Sequence, residues 1–241
     1  MFYWVCKHIL IGPWVRFLFW PKVEGAENIP TSGPAILASN HLSFSDSIFL
    51  PLVVKRKVTF PAKAEYFNSP GIKGLFSKLF FTAVGQVPID RSSGSAAKSA
   101  LSTLERLLAD GDVVGIYPEG TRSPDGRLYR GKTGVARLAL QTGAVVVPCA
   151  MINTNQIQPP GKLLPRIRRM HMKIGRPLDF SRYEGLAGDR FVERSMTDEI
   201  MYELMELSGQ EYVDVYAAKV KAQAAGPAPD PAPVPSGAAA A

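Results

Sequence analysis

In the run Asn40-His41-Leu42-Ser43-Phe44-Ser45-Asp46, an imidazole and a carboxylate stand five residues apart. An imidazole is the side chain best suited to take up a proton near neutral pH. A carboxylate beside it would fix its tautomer and stabilise the imidazolium. On one ideal helix, that spacing sets two side chains about 140° apart. The pair can therefore meet only if His41 lies in a turn and Asp46 in the first turn of the helix that the apolar run 47–54 predicts. Ser43 or Ser45 would be its N-cap. A loop histidine beside an unrelated helix-start aspartate would use the same residues without chemistry.

A second group is Tyr117-Pro118-Glu119-Gly120-Thr121-Arg122-Ser123. Gly120 lets the backbone turn closely, Thr121 and Ser123 offer hydroxyls, and Arg122 can fork onto phosphate oxygens or pair with Glu119 at a turn. Pro88-Ile89-Asp90-Arg91 and the Lys63 of PAKAEYF add cations. Each of these groups ends a predicted strand, and open α/β sheets bind ligands beyond the carboxyl ends of their strands.

The elements that must position these residues are legible. Short apolar runs bounded by turn residues predict strands at 34–40, 58–63, 83–89, 111–118, 144–151 and 170–175. Between them, Ala97, Leu101, Leu104 and Leu108 recur at helical spacing, as do Val135, Leu138 and Ala139, and the segment 189–208 continues the pattern. The alternation implies an α/β domain over residues 21–215, with a mixed, largely parallel central sheet flanked by helices. Residues 1–20 hold Phe2, Tyr3, Trp4, Trp14, Phe17, Phe19 and Trp20, interrupted by Lys7, His8, Pro13 and Arg16. That composition suits a membrane-associated helical segment in the headgroup region, with Lys7 and Arg16 reaching phosphates. A helix packed on the domain or a true span are the alternatives. The Ala/Pro-rich stretch 216–241 is expected to be a disordered tail.

Charge narrows the partners. Of the net +7, residues 183–241 hold ten acids and four bases, which leaves +13 on residues 1–182. Such a surplus attracts phosphorylated ligands, acidic lipids or nucleic acid. The basic segment 162–176 lacks interleaved aromatics for stacking bases, so contact with acidic lipid or an acidic donor accounts for it equally well, and a solvated basic face is the alternative. Cys6 and Cys149 stand far apart with no histidine at metal-ligand spacing, so neither a disulfide framework nor a metal site is expected. Gly126 to Thr133 satisfies the G-x4-G-K-T phosphate-loop pattern, but it starts well after its strand and its interior is bulky. A serine hydrolase would need a G-x-S-x-G elbow, which the chain does not contain.

Taken in order, Asn40-His41-x4-Asp46, Ile89-Asp90-Arg91, Pro118-Glu119-Gly120-Thr121-Arg122-Ser123 and Val145-Val146-Val147-Pro148 resemble the four blocks of the glycerolipid acyltransferases. The nearest likeness is to the 1-acylglycerol-3-phosphate O-acyltransferases, over roughly residues 21–180. The second block carries Val87-Pro88-Ile89 where an aromatic is common. The resemblance implies that His41 takes the acceptor's hydroxyl proton and Asp46 orients His41. Arg91 and Arg122, with Lys63 and Lys132, would hold the acceptor phosphate. Glu119, Gly120 and Thr121 would shape the acceptor pocket, and Pro148 would pack the acyl-donor side. It further implies acyl-CoA or acyl-carrier protein as co-substrate and no cofactor. The partners would be membrane lipids and not nucleic acid, at the cytoplasmic face of the cell membrane.

Overall fold

The structure, a computed structural model, describes residues 2–89, 96–159, 162 and 164–224. Arg91 and residues 225–241 of the expected tail lie outside these. The strands are β1 (Lys22–Glu24), β2 (Ala35–Ser39), β3 (Val58–Lys63), β4 (Gln86–Ile89), β5 (Val113–Ile116), β6 (Leu128–Tyr129), β7 (Val145–Ile152), β8 (His171–Ile174) and β9 (Tyr212–Val213). Seven of them form one sheet in the order β1-β8-β7-β2-β5-β3-β4. All neighbours in it run parallel except β7 and β8. The expected mixed, largely parallel sheet is therefore present. β6 and β9 pair separately.

The helices are α1 (Phe2–Val5), α2 (Gly12–Phe19), α3 (Asp46–Val53), α4 (Glu65–Asn68), α5 (Gly71–Ala83), α6 (Ala96–Ala109), α7 (Gly134–Thr142), α8 (Thr154–Ile157), α9 (Arg190–Ser208) and α10 (Ala217–Ala224). A π-helical turn, Cys6–Leu10, joins α1 to α2. In a strand, successive side chains point to opposite faces. Leu37 of β2 accordingly packs with Val15, Phe19, Phe49 and Leu50 of α2 and α3. Its neighbours Ile36 and Ala38 pack with Leu104, Leu138 and Ile200 of α6, α7 and α9. Burial on both faces explains why β2 and β7 read as continuous apolar runs rather than alternating ones.

Two expectations need correction. Residues 2–20 do not lie wholly in the headgroup region, because their inner side belongs to the core. Val15 and Phe19 are buried there, and Lys7 is 1% exposed. The Lys7 ammonium donates to the carbonyls of Val54 and, at 3.2 Å, Arg56, where α3 ends. Instead of reaching lipid phosphate, it satisfies the carbonyl of the α3 C-cap, Val54, and one in the turn that follows. Burial, and next the nearby Arg16, lower its pKa to about 8. The second correction concerns 217–224, which is helical rather than disordered. α10 begins at Ala217, which is fully buried. No helix among the described residues is long and apolar enough to cross a membrane.

Candidate active site

Parallel neighbours place their carboxyl ends on one edge of the sheet. Ala38 of β2 is in register with Ile116 of β5, so the loops that leave these strands start side by side. His41 lies in the first loop and Asp46 opens α3, as the spacing requires. His41 Nδ1 is 3.1 Å from Asp46 Oδ2. The same oxygen accepts the backbone N–H groups of Leu42 at 2.8 Å and Ser43 at 2.7 Å. Asp46 therefore shapes the loop as well as the imidazole, and it is completely buried. Neither Ser43 nor Ser45 caps α3 through its side chain. Both hydroxyls turn instead to Gln158, Ser45 Oγ donating to Oε1 at 2.5 Å and Ser43 Oγ to the carbonyl at 3.2 Å.

The ring of Tyr117 stacks on His41 with centroids 3.8 Å apart and planes 10° apart. Phe60 stacks behind Tyr117 at 5.2 Å. Gly115 makes this possible, since a Cβ there would fall 2.1 Å from the Phe60 ring. The Tyr117 hydroxyl pairs with Ser47 Oγ at 2.9 Å, and burial holds its pKa well above the usual value. With Nδ1 engaged by Asp46 and one ring face covered by Tyr117, Nε2 is the nitrogen left for a substrate.

Glu119 is the hinge between the two loops. Its Oε2 accepts the His41 N–H at 3.1 Å and its Oε1 accepts the Tyr129 N–H at 3.0 Å. Ser123 N–H donates to the His41 carbonyl at 2.7 Å, closing the link from the other side. Glu119 is 1% exposed and stands behind the His41 loop, so it is no wall of the cavity described next and forms no ion pair with Arg122. Burial, outweighing its two backbone hydrogen bonds, raises its pKa to about 7.

His41 opens on a cavity of about 690 Å³. Arg122, Lys132, Gly120 and Thr121 line it, together with Arg137, which sequence reasoning missed. Arg137 is held by two 3.0 Å hydrogen bonds to Glu193. Gly120 turns with φ +71°, and a Cβ there would press on the Lys132 side chain at 3.0 Å. Thr133 and Gly134, at the start of α7, also line the cavity, where a helix N-terminus favours an anion. Elsewhere the wall is apolar, built from Phe44, Phe81, Leu101, Leu104 and Ile116. Lys63 ends β3 in register with Ile89, beside the strand end that leads to Arg91. Pro148 lies buried in β7 against Gly175 and is not part of the cavity wall, so the donor-side role expected of it has no counterpart there. The G-x4-G-K-T run forms no phosphate-wrapping loop, because its interior Leu128 and Tyr129 are fully buried as β6.

The sequence profile of the Acyltransferase family matches residues 21–152, the stretch that carries both loops. The chain belongs to the acyltransferase family. Among its relatives, a chloroplast 1-acyl-sn-glycerol-3-phosphate acyltransferase of Arabidopsis thaliana is 35% identical over 159 residues, 64% of this chain. The chain spans only 43% of that plant protein. A 1-acyl-sn-glycerol-3-phosphate acyltransferase of Bacillus subtilis is 29% identical over 78% of this chain and 88% of its own length. The crystal structure of the 1-acyl-sn-glycerophosphate acyltransferase PlsC from Thermotoga maritima superposes with a TM-score of 0.58 at 26% identity. That match covers 83% of this chain and 76% of the other. Within this member of the family, the clasp around Asn40 escaped sequence reasoning. Its side chain exchanges hydrogen bonds with the Met151 backbone and donates to Gln210 Oε1 at 2.5 Å. Nothing local signals that pairing across 170 residues.

Proposed function

We propose that this chain transfers a fatty acyl group from acyl-CoA or acyl-carrier protein to the free hydroxyl of lysophosphatidic acid, forming phosphatidic acid. The observation that carries the reading is the His41–Asp46 pair, 3.1 Å apart, opening on a cavity that is cationic in part and otherwise apolar. A phosphate-bearing acceptor with a hydrocarbon tail needs both surfaces. The names of the Arabidopsis, Bacillus and Thermotoga relatives support the same acceptor.

The acceptor phosphate docks on Arg122 and Lys132, with Arg91 and Lys63 as the further ligands that the family resemblance implies. Nε2 of His41 takes the hydroxyl proton as the oxygen attacks the thioester carbonyl, and Asp46 stabilises the imidazolium. The tetrahedral intermediate collapses, the C–S bond breaks, and the imidazolium proton goes to the leaving thiolate. Atoms balance with the thioester as the only co-substrate. Arg122→Ala is expected to raise KM for lysophosphatidic acid by roughly tenfold or more with a smaller change in kcat, as a charge-assisted phosphate contact predicts. The test of the reading itself is a purified assay offering lysophosphatidic acid, glycerol 3-phosphate and lyso-glycolipids with both thioester classes. Phosphatidic acid should be the main product; no transfer to lysophosphatidic acid overturns the assignment.

We infer further that the reaction runs at a membrane surface, on the cytoplasmic face of the cell membrane. Trp4, Ile9, Leu10, Trp14, Phe17 and Trp20 all point away from the core. On α5, Ile72, Leu75, Phe76 and Leu79 form an exposed stripe at i, i+3, i+4 and i+7, with Lys73 and Lys78 exposed on either side. Apolar stripes flanked by lysines suit a headgroup boundary, where stems lie in hydrocarbon and ammonium groups reach phosphates. Because deleting residues 1–20 would strip the core of Val15 and Phe19, the informative variant is Trp14→Glu with Phe17→Glu, at positions 63% and 66% exposed. It should lose co-sedimentation with anionic vesicles and keep its melting temperature. Undiminished vesicle binding would refute this placement.

A further inference from the structure

We propose that Lys221, carried by α10, is a further ligand of the acceptor phosphate, completing from the C-terminal end of the chain the rim that Arg122 and Lys132 begin. This rests on the acyl-transfer reading above and adds a residue to it from outside the stretch that the family profile matches, which ends at residue 152.

Lys221 Nζ donates to Thr121 Oγ1 at 2.9 Å, next in sequence to Arg122. That bond uses one of the three ammonium donors. Among the described residues no carboxylate forms an ion pair with Lys221 or Arg122. The two cations instead oppose each other: burial first, then Arg122, lower the Lys221 pKa, while Glu119 behind the loop only partly offsets this. Two cations near enough to repel, with spare donors and no carboxylate ion-paired to either among the described residues, are arranged for an anion.

The placement of α10 is built into the fold rather than incidental. β9 pairs with β6, Tyr212 opposite Leu128 and Val213 opposite Tyr129. The Arg130 N–H is shared between the carbonyls of Val213 at 3.2 Å and Val215 at 3.1 Å. The Arg130 guanidinium lies 5.7 Å from the centre of the Tyr216 ring. Upstream, the Gln210 amide donates to the Gly126 carbonyl at 2.6 Å. Residues 210–217 are thus sewn to 126–130, the strand whose Tyr129 N–H holds Glu119. With Ala217 buried, the first turn of α10 delivers Lys221 to the loop after β5.

The test uses the full purified chain with Lys221→Met and Lys221→Arg. Steady-state kinetics with lysophosphatidic acid would be run beside calorimetric binding of glycerol 3-phosphate. Lys221→Met should raise KM about tenfold and weaken glycerol 3-phosphate about as much, with kcat within about twofold, as loss of one charged hydrogen bond predicts. Lys221→Arg should recover most of both. Unchanged KM and glycerol 3-phosphate affinity would overturn the proposal. So would a fall in kcat and melting temperature that arginine does not repair, since that marks a mere brace. If the wild type acylates no lysophosphatidic acid yet binds glycerol 3-phosphate more tightly than Lys221→Met, the acceptor assignment fails and Lys221 stands as a phosphate ligand.

Discussion

His41→Ala is expected to lower kcat for acyl transfer by about a hundredfold to ten-thousandfold while leaving KM for the acceptor nearly unchanged. Only a small part of the imidazole is exposed, and it makes no phosphate contact in this reading. Its loss therefore removes proton transfer rather than acceptor affinity. Asp46→Asn should also be severe, but by two routes. The carboxylate oxygen that meets His41 Nδ1 also accepts the N–H groups of Leu42 and Ser43. An amide nitrogen placed there would confront two or three donors with another donor. Asp46→Asn should accordingly lose melting temperature as well as kcat, whereas His41→Ala loses kcat alone. Steady-state kinetics and thermal melts of both variants separate the roles. Wild-type turnover in His41→Ala would end the general-base assignment.

Glu119→Gln should give the second large effect, even though this side chain never faces the cavity. Each carboxylate oxygen accepts one buried backbone N–H, from His41 and from Tyr129. A glutamine can supply only one acceptor there, and its NH2 meets the remaining N–H. Leaving a buried donor unpaired costs about 1–3 kcal/mol. The variant should melt lower and turn over more slowly, because the His41 loop loses its tether. A pH signature accompanies this. Glu119 holds its proton up to about 7 in the folded chain against the ordinary 4.5. A raised carboxyl pKa means that the stability contribution is complete below pH 4.5 and lost as pH rises through 7. The loss is on the order of 3 kcal/mol. Melts of the wild type across that window should show the decline, and Glu119→Gln should lack this component. Identical pH slopes in the two proteins would show that Glu119 is ionised throughout.

Much of this arrangement was readable in one dimension because its signals are local. The six main strands stand out as short apolar runs between turn residues, since a parallel sheet covered on both faces needs no polar alternation. The H-x4-D spacing could be solved for a turn followed by a helix start from helix geometry alone. Other features had no such signal. β6 and β9 are two residues each. α5 repeats its apolar positions outward, so its pattern does not mark the core. Lys7 reads as a surface cation, yet it lies buried on the carbonyls of Val54 and Arg56, beside the rings of Tyr3 and Trp4. Glu119, read with its neighbours as pocket, turned out to be a tether, since both its partners are backbone groups that no residue type announces.

The order of the blocks, the identity of the imidazole and carboxylate, and the excess of cations over the first 182 residues all reside in the amino-acid sequence itself. Each depends on residue type and short spacing, which covalent geometry translates directly into local structure. Folding decided which cations share a rim with His41, which acid orients the imidazole and which only braces the loop, and that residues 210–221 return to the site. Those outcomes depend on strand register and on contacts across 78 to 170 residues, such as His41 with Glu119 and Asn40 with Gln210. A sheet that moves one strand by a single position would exchange the faces of every side chain on it, and no local pattern records that choice.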